Sequence, residues 1–159
     1  MGRNILVALD DSDNAMRAVE FIAKSFTTDH SITLFSVSPD TAALCEMTGF
    51  NTPTLTPYFL EQQGVFCTLE DKKKGLVKKA LQDAKKILSN AGFEEKNIHT
   101  KMLVEKKGAA KAIINEAKKG YDTVVLGRRG LSGIKEFLLG SVSQKVLNSV
   151  PDVSVLLIN

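Results

Sequence analysis

Asn4-Ile5-Leu6-Val7-Ala8-Leu9-Asp10-Asp11-Ser12-Asp13 sets five consecutive apolar residues directly before a cluster of acidic and hydroxyl side chains. An unbroken apolar run of this kind suits a strand covered on both faces of a sheet. Ser12 or its neighbours can cap a helix, and Ala15, Met16, Val19, Ile22, Ala23 and Phe26 follow at helical spacing. The unit reads as a buried strand feeding a helix.

The same alternation continues outward. Ile32–Val37 reads as a second strand, and Leu76, Val77, Ala80, Leu81, Ala84, Ile87, Leu88 and Ala91 form one stripe of a helix stopped by Gly92. Ile98, Thr100, Met102 and Val104 alternate with polar residues as a third strand. Ala109, Ala110, Ile113, Ile114 and Ala117 give a helical face ending at Gly120. Thr123–Leu126 and Val153–Ile158 are the fourth and fifth strands, with a helix marked by Val142, Val146 and Leu147 between them. This order predicts an α/β fold: an open, doubly wound, five-stranded parallel sheet with helices on both faces, Rossmann-like. With 159 residues, 43% hydrophobic and 25% charged, one domain over residues 1–159 is expected.

The segment from Pro39 to about Glu70 breaks the rhythm. Pro39, Pro53 and Pro57 with Thr52, Thr54 and Thr56 argue against one long helix, so an irregular insert is expected at about 39–70, either a lid or a packing element, whose apolar residues such as Leu44, Phe59 and Val65 suggest short helices over one end of the sheet. Cys45 and Cys67 lie inside it without a Cys-x-x-Cys spacing, and the expectation is two small buried hydrophobes rather than a disulfide or a zinc site. His30 and His99 are the only histidines and belong to no triad or ligand pattern. No apolar stretch approaches a membrane span, and the chain enters its first strand too early for a signal peptide, so a cytoplasmic address is expected.

The net charge of +3 conceals an asymmetry: residues 1–71 carry 3 basic and 10 acidic side chains, and residues 72–159 carry 18 and 8. A basic half can attract nucleic acid, anionic lipid or a phosphorylated small molecule, although lysines such as Lys72-Lys73-Lys74 also simply solvate helix faces.

Four of the eleven glycines, Gly127, Gly130, Gly133 and Gly140, fall just after the fourth strand, and Ser141 opens the next helix. Glycines admit an anion close to backbone N–H groups, and a helix start adds unpaired donors. Ser141 can add a hydroxyl, and Arg128, Arg129 and Lys135 can offset two or three negative charges, which fits a di- or triphosphate. The stretch is neither a Walker A loop nor a Gly-x-Gly-x-x-Gly fingerprint. Ser141-x-x-Gln144 also reads as a capping box that needs no ligand.

Gly127-x2-Gly130-x9-Gly140-Ser141 resembles the nucleotide loop of the universal stress protein family. Asn4 to Ser12 is similar to that family's opening strand and Asp-x-Ser turn, Tyr121 to Gly127 to the strand entering the loop, and Leu139 to Leu147 to the helix after it. Ser154 departs from the proline usual before the last strand's Val. The resemblance implies an adenine nucleotide alpha hydrolase-like sheet with ATP at the carboxyl ends of the strands, as doubly wound sheets generally place ligands. It assigns Ala8 and Asp10 to the nucleoside, Val37 to adenine, Gly127, Arg128, Arg129 and Gly130 to ribose and phosphate, and Gly140, Ser141, Val142 and Ser143 to the phosphates. Asp10 also reads as a carboxylate facing a helix dipole, and Val37 as core. Mg2+ or Mn2+ bridging the phosphates suits Ser141 and phosphate oxygens.

Relatives pair their final strands, so the resemblance also implies a homodimer through Val153–Ile158, whose bare edge would otherwise stay open or be covered by the 39–70 segment. The expected function is a regulatory, stress-response ATP-binding protein with at most slow hydrolysis, since no general base falls in the mapped pocket. The alternative is an adenylating or pyrophosphate-releasing enzyme on the same architecture, but Asp10-Asp11-Ser12-Asp13 is neither a Ser-Gly-Gly loop nor a His-x-Gly-His motif. A phospho-receiver domain fails for want of an acceptor Asp after strand three and a Lys after strand five. Nucleic-acid binding lacks aromatic interleaving in a basic groove.

Overall fold

Alternation along β1 (Asn4–Ala8) turns Ile5 and Val7 to one face of the sheet and Leu6 to the other, and all three are buried. The computed structural model describes residues 1–10, 12–45, 57–128 and 139–159. Around β1 stand β2 (Ser31–Pro39), β3 (Ile98–Glu105), β4 (Thr123–Gly127) and β5 (Ser154–Ile158), in the order β3-β2-β1-β4-β5. Every neighbouring pair is parallel, with Val7 level with Leu34 of β2 and Val125 of β4. The expected five-stranded doubly wound sheet is therefore observed.

Helices cover both faces. α1 (Asp13–Ser25) and α3 (Pro57–Asn90) pack Ala18, Val19, Ile22, Leu81, Ala84 and Leu88 against Ile5, Val7 and Leu34. On the opposite face α4 (Ala109–Ala117) and α5 (Ser141–Ser149) pack Ile113, Ala117 and Val146 against Leu6, Phe35, Val124 and Leu126. At the amino ends of β1, β4 and β5, Asp122 ties the strands together. Its carboxylate accepts from the Asn4 backbone N–H at 2.7 Å, its N–H donates to the Asn4 carbonyl, and its carbonyl accepts from Ser154.

The insert differs from expectation. α3 runs 34 residues from Pro57, so residues 57–70 are helical rather than irregular. Pro57 supplies no obstacle because it stands at the first position of the helix, where the missing N–H costs no intrahelical bond. A short α2 (Ala42–Cys45) precedes it, and the expectations at Thr52, Pro53, Thr54 and Thr56 lie outside the described residues. The far end of α3 stops as expected: Gly92, at φ 97°, lets Phe93 donate to the Leu88 carbonyl and Gly92 itself to Ser89.

The cysteine expectation is corrected as well. Cys45 and Cys67 are joined in a disulfide with Cα atoms 5.8 Å apart, and both are half-buried rather than core residues. With α2 folded onto α3, the bond spans 22 residues of sequence that spacing alone did not mark as paired. Gln63 reinforces the contact by donating from its side-chain amide to the Leu44 carbonyl.

One buried charge stands far from the strand ends. The Glu116 side chain, 5% exposed on α4, accepts from Lys101 of β3 at 2.8 Å and 2.9 Å and from Lys119 at 2.9 Å, with the Tyr121 hydroxyl at 3.3 Å. Burial opposes ionisation of Glu116, but hydrogen bonds from Lys101 and Lys119 outweigh it and hold the carboxyl below its ordinary range.

Candidate functional site

Parallel strands followed by helices bring helix N-termini to the carboxyl ends of the strands. The chain turns outward in opposite directions from β1 and β4, which makes their carboxyl ends the switch point of the sheet. A cavity of about 280 Å³ opens there. Its floor is apolar, from Ala8, Leu9, Phe35, Val37, Ile113 and Leu126, and its polar rim comes from Asp10, Ser12, Ser141 and Ser143. An apolar wall with a few convergent polar groups is the usual make-up of a small-molecule pocket.

Each rim group has a local cause. Asp10 follows β1, and its Oδ1 accepts the Ser12 backbone N–H at 2.9 Å, closing the turn into α1. Ser12 is the N-cap of α1 and accepts the Ala15 N–H on its hydroxyl at 3.3 Å, as its sequence position suggests. Asp10 thus serves the helix start while its carboxylate also lines the cavity.

The start of α5 is built otherwise. Gly140, not Ser141, is the N-cap, and no side chain caps the helix. The capping-box reading of Ser141 and Gln144 is therefore corrected: Gln144 donates its backbone N–H to the Gly140 carbonyl at 3.0 Å as the first helical bond. Gly140 has φ −59° and ψ 148°, a conformation open to any residue, so the glycine is not required by backbone geometry. α5 is fixed by Ser143, whose buried hydroxyl donates to the Gly127 carbonyl at 2.9 Å, and by the Gly140 N–H donating to the Arg128 carbonyl at 3.0 Å. The first turn of a helix carries N–H groups without intrahelical partners, and Ser141, Val142 and Ser143 of that turn line the cavity.

Of the residues singled out from the sequence, Ala8, Asp10, Val37, Gly127, Gly140, Ser141, Val142 and Ser143 meet around this one cavity. Arg128 does not line it. Its backbone is held between β5 and α5, with its N–H donating to the Ile158 carbonyl at 2.6 Å, and its Nε is buried with no partner among the described residues. Arg129, Gly130, Gly133 and Lys135 lie outside the described residues. Sequence reasoning missed Phe35, Ala109 and Ile113 as lining. The signal was available in part, because β1–β2 register places Phe35 beside Ala8 and Gly108 opens α4 at the same end of the sheet.

His30 and His99 sit just before β2 and at the start of β3, the amino ends, and line no part of the cavity. Among the described residues no group of three or more His, Cys, Asp or Glu side chains is placed to hold a metal ion. Likewise no helix among them is long and apolar enough to cross a membrane.

Comparison with known proteins agrees with this architecture. The profile of the universal stress protein family matches residues 1–159. Universal stress protein YxiE of Bacillus subtilis (strain 168) is 33% identical over 150 residues, covering 92% of each chain. The fold superposes on universal stress protein UspA from Lactobacillus plantarum with a TM-score of 0.69 at 22% identity, covering 99% of this chain and 97% of that one. A universal stress protein solved in complex with cAMP superposes with a TM-score of 0.63 at 19% identity, again covering 99% and 97%.

Proposed function

Because the chain belongs to the universal stress protein family, we propose that it binds ATP in the cavity between β1, β4 and α5 and acts as a nucleotide-responsive regulatory protein. The observation that carries this reading is the start of α5: a helix N-terminus at the cavity rim, left without a side-chain cap, at a glycine that the backbone does not need. An oxyanion supplies what the missing cap would.

In this reading adenine lies on Val37 and the apolar floor, and Asp10 accepts from a nucleoside amino or hydroxyl group. Gly127, together with Arg129 and Gly130, surrounds ribose and phosphate, whereas Arg128, which does not line the cavity, ties β5 to the start of α5. Ser141 and Val142 donate to the phosphates beside Gly140, whose own N–H is committed to Arg128, and Ser143, whose hydroxyl is committed to Gly127, holds α5 in place. A Mg2+ or Mn2+ ion would be held by phosphate oxygens and the Ser141 hydroxyl. Asp10 is the one carboxylate among the described lining residues and its Oδ1 is engaged by the Ser12 N–H, so hydrolysis is slow at most.

The bound nucleotide favours one conformation or assembly, and the assembly is a homodimer paired through the exposed edge of β5. The protein works in the cytoplasm, where thiol buffering would keep Cys45 and Cys67 reduced except under oxidation. The relative crystallised with cAMP makes a cyclic nucleotide the second ligand to try.

The test is to release and identify co-purified nucleotide, then titrate ATP, AMP and cAMP by calorimetry into wild type and Gly140→Ala/Ser141→Ala. The expected result is ATP binding that the double substitution weakens at least tenfold, or about 1.4 kcal/mol. Equal affinity in the two proteins, or no heat with any nucleotide, overturns the site.

A further inference from the structure

The amino half of α3 is helical without a core to rest on. Among the described side chains of residues 59–76 none is buried, and the first buried residue of α3 is Val77. Among the described residues neither hydrophobic cluster draws on positions 40–76, so the sheet and its covering helices close without this half. Helices in proteins are held mainly by the packing of one face, and that support is missing here. The sequence adds little, because Gly64 and Gly75 are the weakest helix formers short of proline. A Cβ at either glycine would meet no atom within 4 Å, so close packing requires neither.

Two bonds tie this half to α2 instead. Cys67 is joined to Cys45 by the disulfide, and the Gln63 side-chain amide donates to the Leu44 carbonyl. α2 is in turn fixed to the end of the sheet. Asp40, which follows β2, accepts the Ala42 N–H at 3.2 Å and pairs with Lys106 beyond β3 at 3.4 Å. The disulfide therefore clips a helix with no buried face to a point that the sheet anchors. Covalent closure of this kind acts chiefly by removing conformations open to the released segment. One to two turns after Cys67, Glu70, Lys73 and Lys74 wall a cavity of about 300 Å³ together with Ser38, Pro39 and Glu105 at the ends of β2 and β3. That wall depends on the helical path of the clipped segment.

We propose that Cys45 and Cys67 form a reversible thiol–disulfide site, and that its oxidation state decides whether residues 57–76 are held as helix. Both cysteines are half-buried, within reach of a small thiol rather than sealed in the core. The co-reactant is a low-molecular-weight thiol and its disulfide. In reduction one small thiolate attacks a sulfur of the bond, forming a mixed disulfide and freeing the other cysteine. A second thiolate attacks the small-molecule sulfur of that mixed disulfide and releases the first cysteine. The protein gains two electrons and two protons, and two small thiols become one small disulfide. Oxidation runs the same steps in reverse. Because neither core cluster includes this segment, reduction loosens the amino half of α3 and leaves the sheet folded, a local opening rather than global unfolding. The site does not depend on the nucleotide reading.

The test is made on the full wild-type chain equilibrated in buffers of reduced and oxidised glutathione. Alkylation and mass spectrometry read the fraction of paired cysteine, and peptide-resolved hydrogen exchange compares the two forms. The expected result is reversible interconversion without denaturant. Amide exchange in residues 59–76 should be about tenfold faster or more in the reduced protein, with β1, β4 and α1 unchanged. Cys45→Ser/Cys67→Ser should exchange as reduced wild type does in either buffer, which separates this bond from oxidation elsewhere. Reduced Gly64→Ala/Gly75→Ala should recover part of the lost protection, because its helix needs the clip less. The proposal is overturned if the cysteines stay unpaired in every glutathione buffer, or if the bond yields to thiol only after denaturation. It is equally overturned if reduction unfolds the sheet as well, or if residues 59–76 exchange alike in both forms. Protection that the two alanines leave unchanged rejects loss of helix as the event that reduction controls.

Discussion

The starts of α1 and α5 face the same cavity and are solved in opposite ways. At α1 the protein satisfies its own backbone: Asp10 closes the turn and the Ser12 hydroxyl accepts the Ala15 N–H. At α5 no side chain does so, and the position that could carry a cap is Gly140 in a conformation that requires no glycine. Two helix ends with the same orientation relative to the sheet therefore differ: one is completed by its own side chains, and the other has no side-chain cap, which the proposed nucleotide would supply. α4 resembles α5 in this respect, since Gly108 gives it no side-chain cap. The two uncapped helices are anchored elsewhere, α5 by Ser143 on Gly127 and α4 by Glu116 on Lys101.

Installing a cap at α5 is the most direct way to break the contrast. Gly140→Asp should satisfy the first-turn N–H groups and set a carboxylate where the phosphate belongs. ATP affinity is expected to fall about 100-fold, near 2.7 kcal/mol, while folding stability changes by only a few tenths of a kcal/mol. Calorimetric titration and denaturant melts on one sample separate the two effects. A protein that keeps its ATP affinity would make α5 a structural start like α1.

The anchoring of α4 sharpens the comparison with a smaller effect. Lys101→Met leaves the buried Glu116 carboxylate with Lys119 and Tyr121 and is expected to lower stability, read as a fall in the urea midpoint. The sign of the pH dependence follows from the two shifts. Glu116 is lowered from 4.5, so its contribution is present above that pH and fades as the pH falls through the folded value. Lys101 is raised from 10.5, chiefly by its hydrogen bond to Glu116, so the same contact persists below that pH and is lost as the pH rises through the raised value. Between these limits the pair gives a flat profile, and Lys101→Met should abolish the alkaline shoulder while Lys119 still acts on Glu116 at the acid one.

The smallest effect belongs to the capped helix. Ser12→Ala should reduce stability by about 1 kcal/mol and change ATP affinity little, the reverse of Gly140→Asp. A Ser12→Ala protein that loses nucleotide more than stability would show that α1 also works as a ligand-binding start.

Much of the fold was legible because the strands are buried on both faces. Ile5–Leu9, Thr123–Leu126 and Val153–Ile158 are apolar runs that a parallel sheet demands, and the helices between them carry periodic faces ending at Gly92 and Gly120. At the edge strand β3 the same reading weakened: Val104 is 58% exposed although the alternation placed it inward, because an edge strand has a neighbour on one side only. Segment 57–70 was misread for a different reason: Pro39, Pro53 and Pro57 with the threonines between them argued against a long helix, yet Pro57 stands at the first position of α3 and the helix runs on from it. The candidate site was legible as separate pieces, the turn at Asp10 and the start at Gly140, but not as a cavity with Phe35, Ala109 and Ile113 in its wall.

The sequence by itself determined the order of strands and helices, the two-sided burial of the sheet and the family, because periodicity and motif spacing are local properties of the chain. Only the tertiary structure decided that Cys45 meets Cys67, that Glu116 is buried beside Lys101, and that Gly140 rather than Ser141 begins α5. Those outcomes depend on which distant groups share a volume. Pairing, burial and capping are set by that shared space, which no one-dimensional pattern contains.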